Sequence, residues 1–225
     1  AESTSMGAHL TLVEGTISDA GRVSKGVAQE KGLFDLSTLQ EPYRAEGKKT
    51  MGLELAMQLG WRMPGAIVYP TGGGTGIVGM WKGFYELLEL GWVEGVLPRF
   101  IAVQAEGCQP IVKAFHEGAD HCEPWPNART VGDGLRVPGP FADYIVLNAL
   151  RDTGGTALAV SDDDMVSAMM EMARAEGVFA CPEGAATLVG LKRLVRDGLV
   201  DPDESIILLN TGSAYKYLDL LRDRE

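Results

Sequence analysis

Ala66-Ile-Val-Tyr-Pro-Thr-Gly-Gly-Gly-Thr-Gly-Ile-Val-Gly-Met-Trp-Lys82 joins a short apolar run to a loop of four glycines and two threonines, then to an apolar pattern with helical spacing. The order reads as strand, anion-binding loop, helix. Gly72, Gly73, Gly74 and Gly76 carry no Cβ, so their N–H groups can approach a ligand closely, while Thr71 and Thr75 add hydroxyl donors. A helix from about residue 76 to 90 would aim its unpaired N–H groups and partial positive charge at the same point, which suits a phosphate. A Gly-rich turn with only a packing role is the alternative.

Downstream, residues 100–105 form a second continuous apolar run one helix later, as a β-α-β unit of a parallel sheet requires. Residues 109–118 read as a helix. The stretch 121–140, with Pro124, Pro126, Pro138 and Pro140, reads as a long excursion of the functional kind. A helix over 141–152 and a strand over 156–160 follow. Ser161 is an N-cap, Asp162, Asp163 and Asp164 complement the dipole, and Met165, Met169, Met172 and Ala173 form a core-facing stripe closed by Gly177. Residues 178–181 read as a short strand, 182–196 as a helix and 205–210 as a buried strand. That last strand ends in Thr211-Gly-Ser213, a polar turn at a carboxyl end where ligands bind in α/β sheets.

Upstream, residues 6–14 read as a strand, and a helix capped by Ser18 or Asp19 runs to Lys31 and stops at Gly32. Residues 33–38 read as another strand. Residues 40–47, punctuated by Pro42 and Gly47, form a hinge carrying Arg44, either an anion ligand or a surface ion-pair partner. Helical spacing of Met51, Leu55 and Leu59 places a helix over 48–59.

The 225 residues are 45% apolar, ample for a core, and contain no uninterrupted apolar run of membrane-spanning length and no secretory signal, so a soluble cytoplasmic protein is expected. Net charge is 20 − 31 = −11, which argues against nucleic acid as a partner. Cys108, Cys122 and Cys181, and His9, His116 and His121, lack the spacing of metal sites or disulfide frameworks.

Two ligands compete for the loop. Gly74-x-Gly76-x-x-Gly79 matches the dinucleotide fingerprint, and Glu106 lies beyond the next strand where a ribose-binding acid belongs. A compact cofactor with one phosphate, such as pyridoxal phosphate, is the rival. The extra glycines and Thr71 wrap more backbone around one phosphate than a pyrophosphate turn needs, and about 65 residues precede the strand. A P-loop is excluded because no Lys-Ser or Lys-Thr closes the glycine run.

Six motifs resemble threonine synthase and its relatives among fold-type II pyridoxal-phosphate enzymes. They are Glu41-Pro-Tyr-Arg-Ala-Glu-Gly-Lys-Lys-Thr50, Tyr69-Pro-Thr-Gly-Gly-Gly-Thr-Gly76, Ile101-Ala-Val-Gln-Ala-Glu-Gly107, Gly134-Leu-Arg-Val-Pro138, Cys181-Pro-Glu-Gly-Ala-Ala-Thr187 and Asn210-Thr-Gly-Ser213, in the family's order from about Met6 onward. The resemblance implies a three-layer α/β fold of the tryptophan synthase β type, with a mostly parallel sheet, incomplete at its N-terminus. Residues 1–45 would be a remnant of the smaller subdomain and 46–225 the cofactor domain. It implies that Thr71 to Gly76 cradle the phosphate of pyridoxal 5'-phosphate, that Thr211 hydrogen-bonds the pyridine nitrogen and as a neutral hydroxyl leaves the ring unprotonated, and that Arg44 binds a substrate phosphate.

The implied reaction converts O-phosphohomoserine to threonine and phosphate, in an enzyme that is a homodimer when complete. A threonine or serine deaminase-like activity, an NAD-binding oxidoreductase and an inactive binding fragment are the alternatives. The family's acid before the proline is replaced by Cys181, so its role does not transfer. The family's Schiff-base lysine, in a Ser-x-Lys-x-Arg segment, has no counterpart here, since Lys25, Lys48 and Lys49 lack that context. The isolated chain is therefore expected to bind the cofactor weakly and non-covalently and to turn over nothing without an N-terminal part.

Overall fold

The computed structural model describes residues 2–201 and 203–222. The elements are α1 (Glu2–Ser5), α2 (Ile17–Lys31), α3 (Tyr43–Gln58), β1 (Ala66–Pro70), α4 (Thr75–Glu89), β2 (Arg99–Ala105), α5 (Pro110–Glu117), α6 (Asp143–Asp152), β3 (Thr156–Val160), α7 (Asp162–Glu176), α8 (Pro182–Arg196) and β4 (Ile206–Leu208). The strands form one parallel sheet in the order β3-β2-β1-β4, as the continuous apolar runs predict. Side-chain alternation divides the core. Ile67, Tyr69, Phe100 and Ala102 pack on α4, α5 and α6 on one face, and Val68, Ile101, Val103 and Val160 pack on α7 and α8 on the other. The Met165 and Met169 stripe is core on that second face.

Two expected strands are absent. Residues 6–14 form no ladder and all but the half-buried Val13 are exposed, because an unpaired strand has no hydrogen-bond partner. In residues 33–38 the Asp35 carboxylate accepts from the Ser37 N–H at 2.8 Å, a local turn that displaces extended pairing, and Leu39 follows at φ 59°. Residues 178–181 contribute a single antiparallel bridge, Ala180 to Ser213, and the segment after Ser213 forms two 3-10 turns, Ala214–Lys216 and Leu218–Leu220.

Helix α3 begins at Tyr43, five residues before the expected start. Pro42 occupies the N-cap, where its missing N–H costs nothing, and the Glu41 carboxylate accepts from the Arg44 N–H at 3.2 Å. Thr16, and not Ser18 or Asp19, caps α2. Its N–H donates to the Asp19 carboxylate at 2.7 Å, which holds that acid below its usual range, and Gly32 ends the helix in the left-handed region.

Candidate active site

Strand β1 is the hinge of the topology. The chain leaves it toward β2 on one side, while β4 lies on the other, so the loops after β1 and β4 part at the carboxyl edge of the sheet. That is the switch point where open α/β sheets bind ligands. A cavity of about 980 Å³ lies there, lined by Gly72 to Gly76, by Thr211 to Ser213 and by the turn at Gly134 and Leu135.

The glycine loop is built to leave its donors bare. Among the described residues, none of the N–H groups from Gly72 to Gly76 donates to a protein acceptor, whereas the Thr71 N–H on the strand side bonds Val103 O at 2.7 Å. Five consecutive free donors at the start of a 15-residue helix fit a phosphate in charge and number. Gly74 is the N-cap of α4 at φ 78°, a conformation that a side chain opposes. The other glycines answer mainly to the protein. A Cβ at Gly72 would lie 2.2 Å from Gly134 O and one at Gly76 2.1 Å from the Tyr69 hydroxyl, so packing and ligand access both require them.

The expected site residues do not all face the cavity. Gly72, Gly73, Gly74, Thr75, Gly76, Thr211 and Arg44 line it. Thr71 does not: it is fully buried and its hydroxyl donates to Tyr69 O at 2.9 Å. It is instead part of the loop's support. Gln104, buried in β2, donates to Thr71 O at 3.0 Å and accepts from Ile111 N and Val112 N at 2.9 and 3.2 Å. One amide thereby fixes the loop's first residue and fills the N-terminus of α5, a function that an apolar strand pattern conceals. The 211–213 turn is fixed by Cys181 N–H donating to Gly212 O at 3.1 Å and Ala214 N–H to Phe179 O at 3.0 Å.

The long excursion supplies a cavity wall. Thr130 Oγ1 and Val131 N donate to the Asp162 carboxylate at 2.6 and 3.2 Å, and Gly134 N donates to Glu183 Oε1 at 2.8 Å. The cavity's basic side chains are Arg22, Lys25, Arg44, Lys48 and Lys216, a local positive field on a chain of net charge −11. Arg44 Nη1 donates to Thr38 Oγ1 at 2.7 Å and Leu36 O at 3.3 Å, and among the described residues neither Arg44 nor Lys48 forms an ion pair.

Glu106 is not in this cavity. It meets Arg193 at 3.6 Å and lines a separate groove by β3, so Glu106 does not serve the glycine loop as a ribose-binding acid. No group of side chains suited to a metal occurs among the described residues. The three cysteines are free thiols: burial first, and Asp143 second, pushes Cys122 up to about 12, and burial raises Cys108 and Cys181. Among the described residues no helix is long and apolar enough to cross a membrane.

A parallel sheet with bare N–H donors at its switch point defines an α/β protein whose cavity fits a phosphate in charge and number of donors. The chain belongs to the family of pyridoxal-phosphate dependent enzymes, which matches residues 1–212. Its relatives include the threonine synthases of Methanocaldococcus jannaschii and Methanosarcina acetivorans, each 36% identical over 96% of this chain and 53% of the relative. The chain thus spans about half the length of the relatives it matches. Among solved structures, an L-serine ammonia-lyase from Rhizomucor miehei superposes with a TM-score of 0.77 at 22% identity, covering 98% of this chain and 69% of that one. A processed threonine deaminase from Solanum lycopersicum gives 0.75 at 19%, covering 98% and 61%. These two likenesses establish the fold.

Proposed function

We propose that the chain is the C-terminal portion of a threonine synthase-like enzyme that converts O-phosphohomoserine to threonine and phosphate. The observation that carries this reading is the pairing of two anion sites in one cavity. The N–H groups of Gly72 to Gly76 suit the cofactor phosphate, and Thr211 faces the ring. Arg44 and Lys48, four residues apart and so on one face of α3, offer two unpaired cations to a second phosphate. When bound, pyridoxal phosphate supplies an electron sink for carbanion chemistry. The protein's residues bind and orient, and none of Lys25, Lys48 and Lys49 has the sequence context of the family's Schiff-base lysine. Residues 1–45 act as the part of the smaller subdomain that faces the cofactor domain, and the complete enzyme is a cytoplasmic homodimer.

The test is Arg44→Ala in the complete protein. The apparent constant for O-phosphohomoserine should rise about tenfold or more, since charge-assisted bonds contribute about 1.5–3 kcal/mol. An unchanged constant would point to a deaminase-like activity on unphosphorylated hydroxyamino acids.

A further inference from the structure

Tyr69 is the fourth residue of β1, and strand alternation sets it with Ile67 on the α4 face of the sheet, where the side chain is only 8% exposed. A phenylalanine would fill that place as well. The phenol reaches the start of α4: a Cβ at Gly76 would lie 2.1 Å from the Tyr69 hydroxyl and 2.2 Å from its Cζ. Tyrosine at 69 and glycine at 76 are therefore matched, and the glycine weakens the first turn of a helix to admit a polar atom. That atom bonds nothing in the protein. The Tyr69 hydroxyl forms no hydrogen bond among the described residues, and burial is the sole cause that raises its pKa, so at neutral pH it is a phenol and can donate. Buried tyrosine hydroxyls usually find a partner, and Tyr69 lines the cavity, so the partner is a molecule that enters there.

The surroundings determine its role. Gly76, Gly79 and Gly83 recur at helical spacing along one face of α4, and a Cβ at Gly79 would lie 2.6 Å from Lys48 Cβ. The hydroxyl thus sits on the side of α4 that faces α3, against Gly76, the last of the five bare N–H donors, and on the side that carries Lys48. Donors and cations gather here, so the missing partner is an acceptor, and the group that suits the glycine N–H donors is an anion. Resting on the function proposed above, we propose that the Tyr69 hydroxyl donates a hydrogen bond to the phosphate held by Gly72 to Gly76. It adds one side-chain donor from the strand to the backbone donors of the loop. Its ring is fixed in the core, so the donor is oriented before the ligand arrives and little freedom is lost on binding.

The experiment compares pyridoxine 5'-phosphate with pyridoxine, which differ in the phosphate alone and lack the aldehyde that would label lysines. In equilibrium dialysis of the 225-residue chain, Tyr69→Phe should bind pyridoxine 5'-phosphate about tenfold more weakly than the wild type, the scale of one hydrogen bond to a charged acceptor, and pyridoxine within about twofold. An unchanged affinity for the phosphorylated ligand, or an equal loss for both, overturns the role of the hydroxyl. A wild type that does not distinguish the two ligands sinks the glycine-loop reading itself, and this inference with it. Since the hydroxyl bonds nothing in the ligand-free protein, Tyr69→Phe should unfold at the wild-type urea midpoint or above it. A lower midpoint would place the partner inside the protein and overturn the inference. Tyrosine labelled with ¹³C at Cζ gives a readout independent of affinity. The signal missing from Tyr69→Phe should move when pyridoxine 5'-phosphate is added to the wild type and stay when pyridoxine is added; a signal that ignores the phosphate overturns the assignment.

Discussion

Two stretches line the same cavity from unlike positions. From Ala66 to Met80 every residue but Gly73 is buried, whereas from Glu2 to Met51 none is. In the first stretch the sheet, α4 and the neighbouring helices specify each side chain together. In the second, α2 is held by its own ends, the Thr16–Asp19 capping interaction and the left-handed Gly32, while Val23 and Val27 remain largely in solvent. The difference separates structure made by tertiary packing from structure made by local hydrogen bonds, and most helical stability in proteins is of the first kind. Substitutions in the two regions should therefore differ in size, and at glycines in sign.

The largest effect is expected at Gln104. Gln104→Leu preserves bulk but strands Thr71 O and the N–H groups of Ile111 and Val112 in the interior. The loss should be about 2–5 kcal/mol in urea unfolding, since each orphaned buried group costs about 1–3. A loss within error of zero would show that the loop does not depend on this amide.

Glycines give the sharper contrast. An alanine Cβ at Gly74 would lie 2.3 Å from Val146 Cγ2 on a backbone at φ 78°, so Gly74→Ala should cost about 2–4 kcal/mol from left-handed strain and overpacking. At Gly26, in mid-α2, an added Cβ meets nothing within 4 Å. Gly26→Ala should stabilise by about 0.5–1 kcal/mol through helix propensity alone. Equal effects at the two sites in the same unfolding assay would erase the distinction between the regions.

The same distinction explains what was legible in the sequence. The β1–loop–α4 unit, the Met165 stripe, the Ser161 cap and the four parallel strands each carry a signal in their own residues, and all are present. The N-terminal strands were misread because strand formation depends on a neighbour that no local pattern supplies. Tyr43 as the start of α3 was obscured by Pro42, which marks either a break or a helix beginning. Within the site, glycines and Arg44 were readable from residue type. Thr71's inward turn, Gln104's three bonds and the bond from Tyr217 to the buried Glu183 carboxylate were not, because each depends on partners 30 or more residues away in at least one bond.

The smallest effect concerns the joint between α3 and α4, which connects the exposed stretch to the buried one. A Cβ at Gly79 would lie 2.6 Å from Lys48 Cβ, so the helices cross closely, and beside the crossing Lys49 bridges Glu46 and Glu86 at 2.9 and 2.7 Å while Lys82 meets Glu46 at 3.0 Å and also pairs with Glu86. Hydrogen bonds from Lys49, then from Lys82, hold both carboxyls below their usual range, and Glu86, then Glu46, raise the two lysines. A carboxylate with a lowered folded pKa contributes stability above the unfolded value of about 4.3, and loses it as pH falls through the folded value. The raised lysines contribute below about 10.4 and lose their share as pH rises through their folded values. The network is therefore complete between those limits. Its side chains are 21–43% exposed, so solvent and salt screen it and the effect is modest. Lys82→Met should lessen the drop in unfolding midpoint between pH 7 and pH 3, roughly the span across the carboxylate range, and 1 M salt, with a Debye length of about 3 Å, should lessen it in the wild type. If wild type and variant lose stability equally over that span, the joint rests on glycine packing alone.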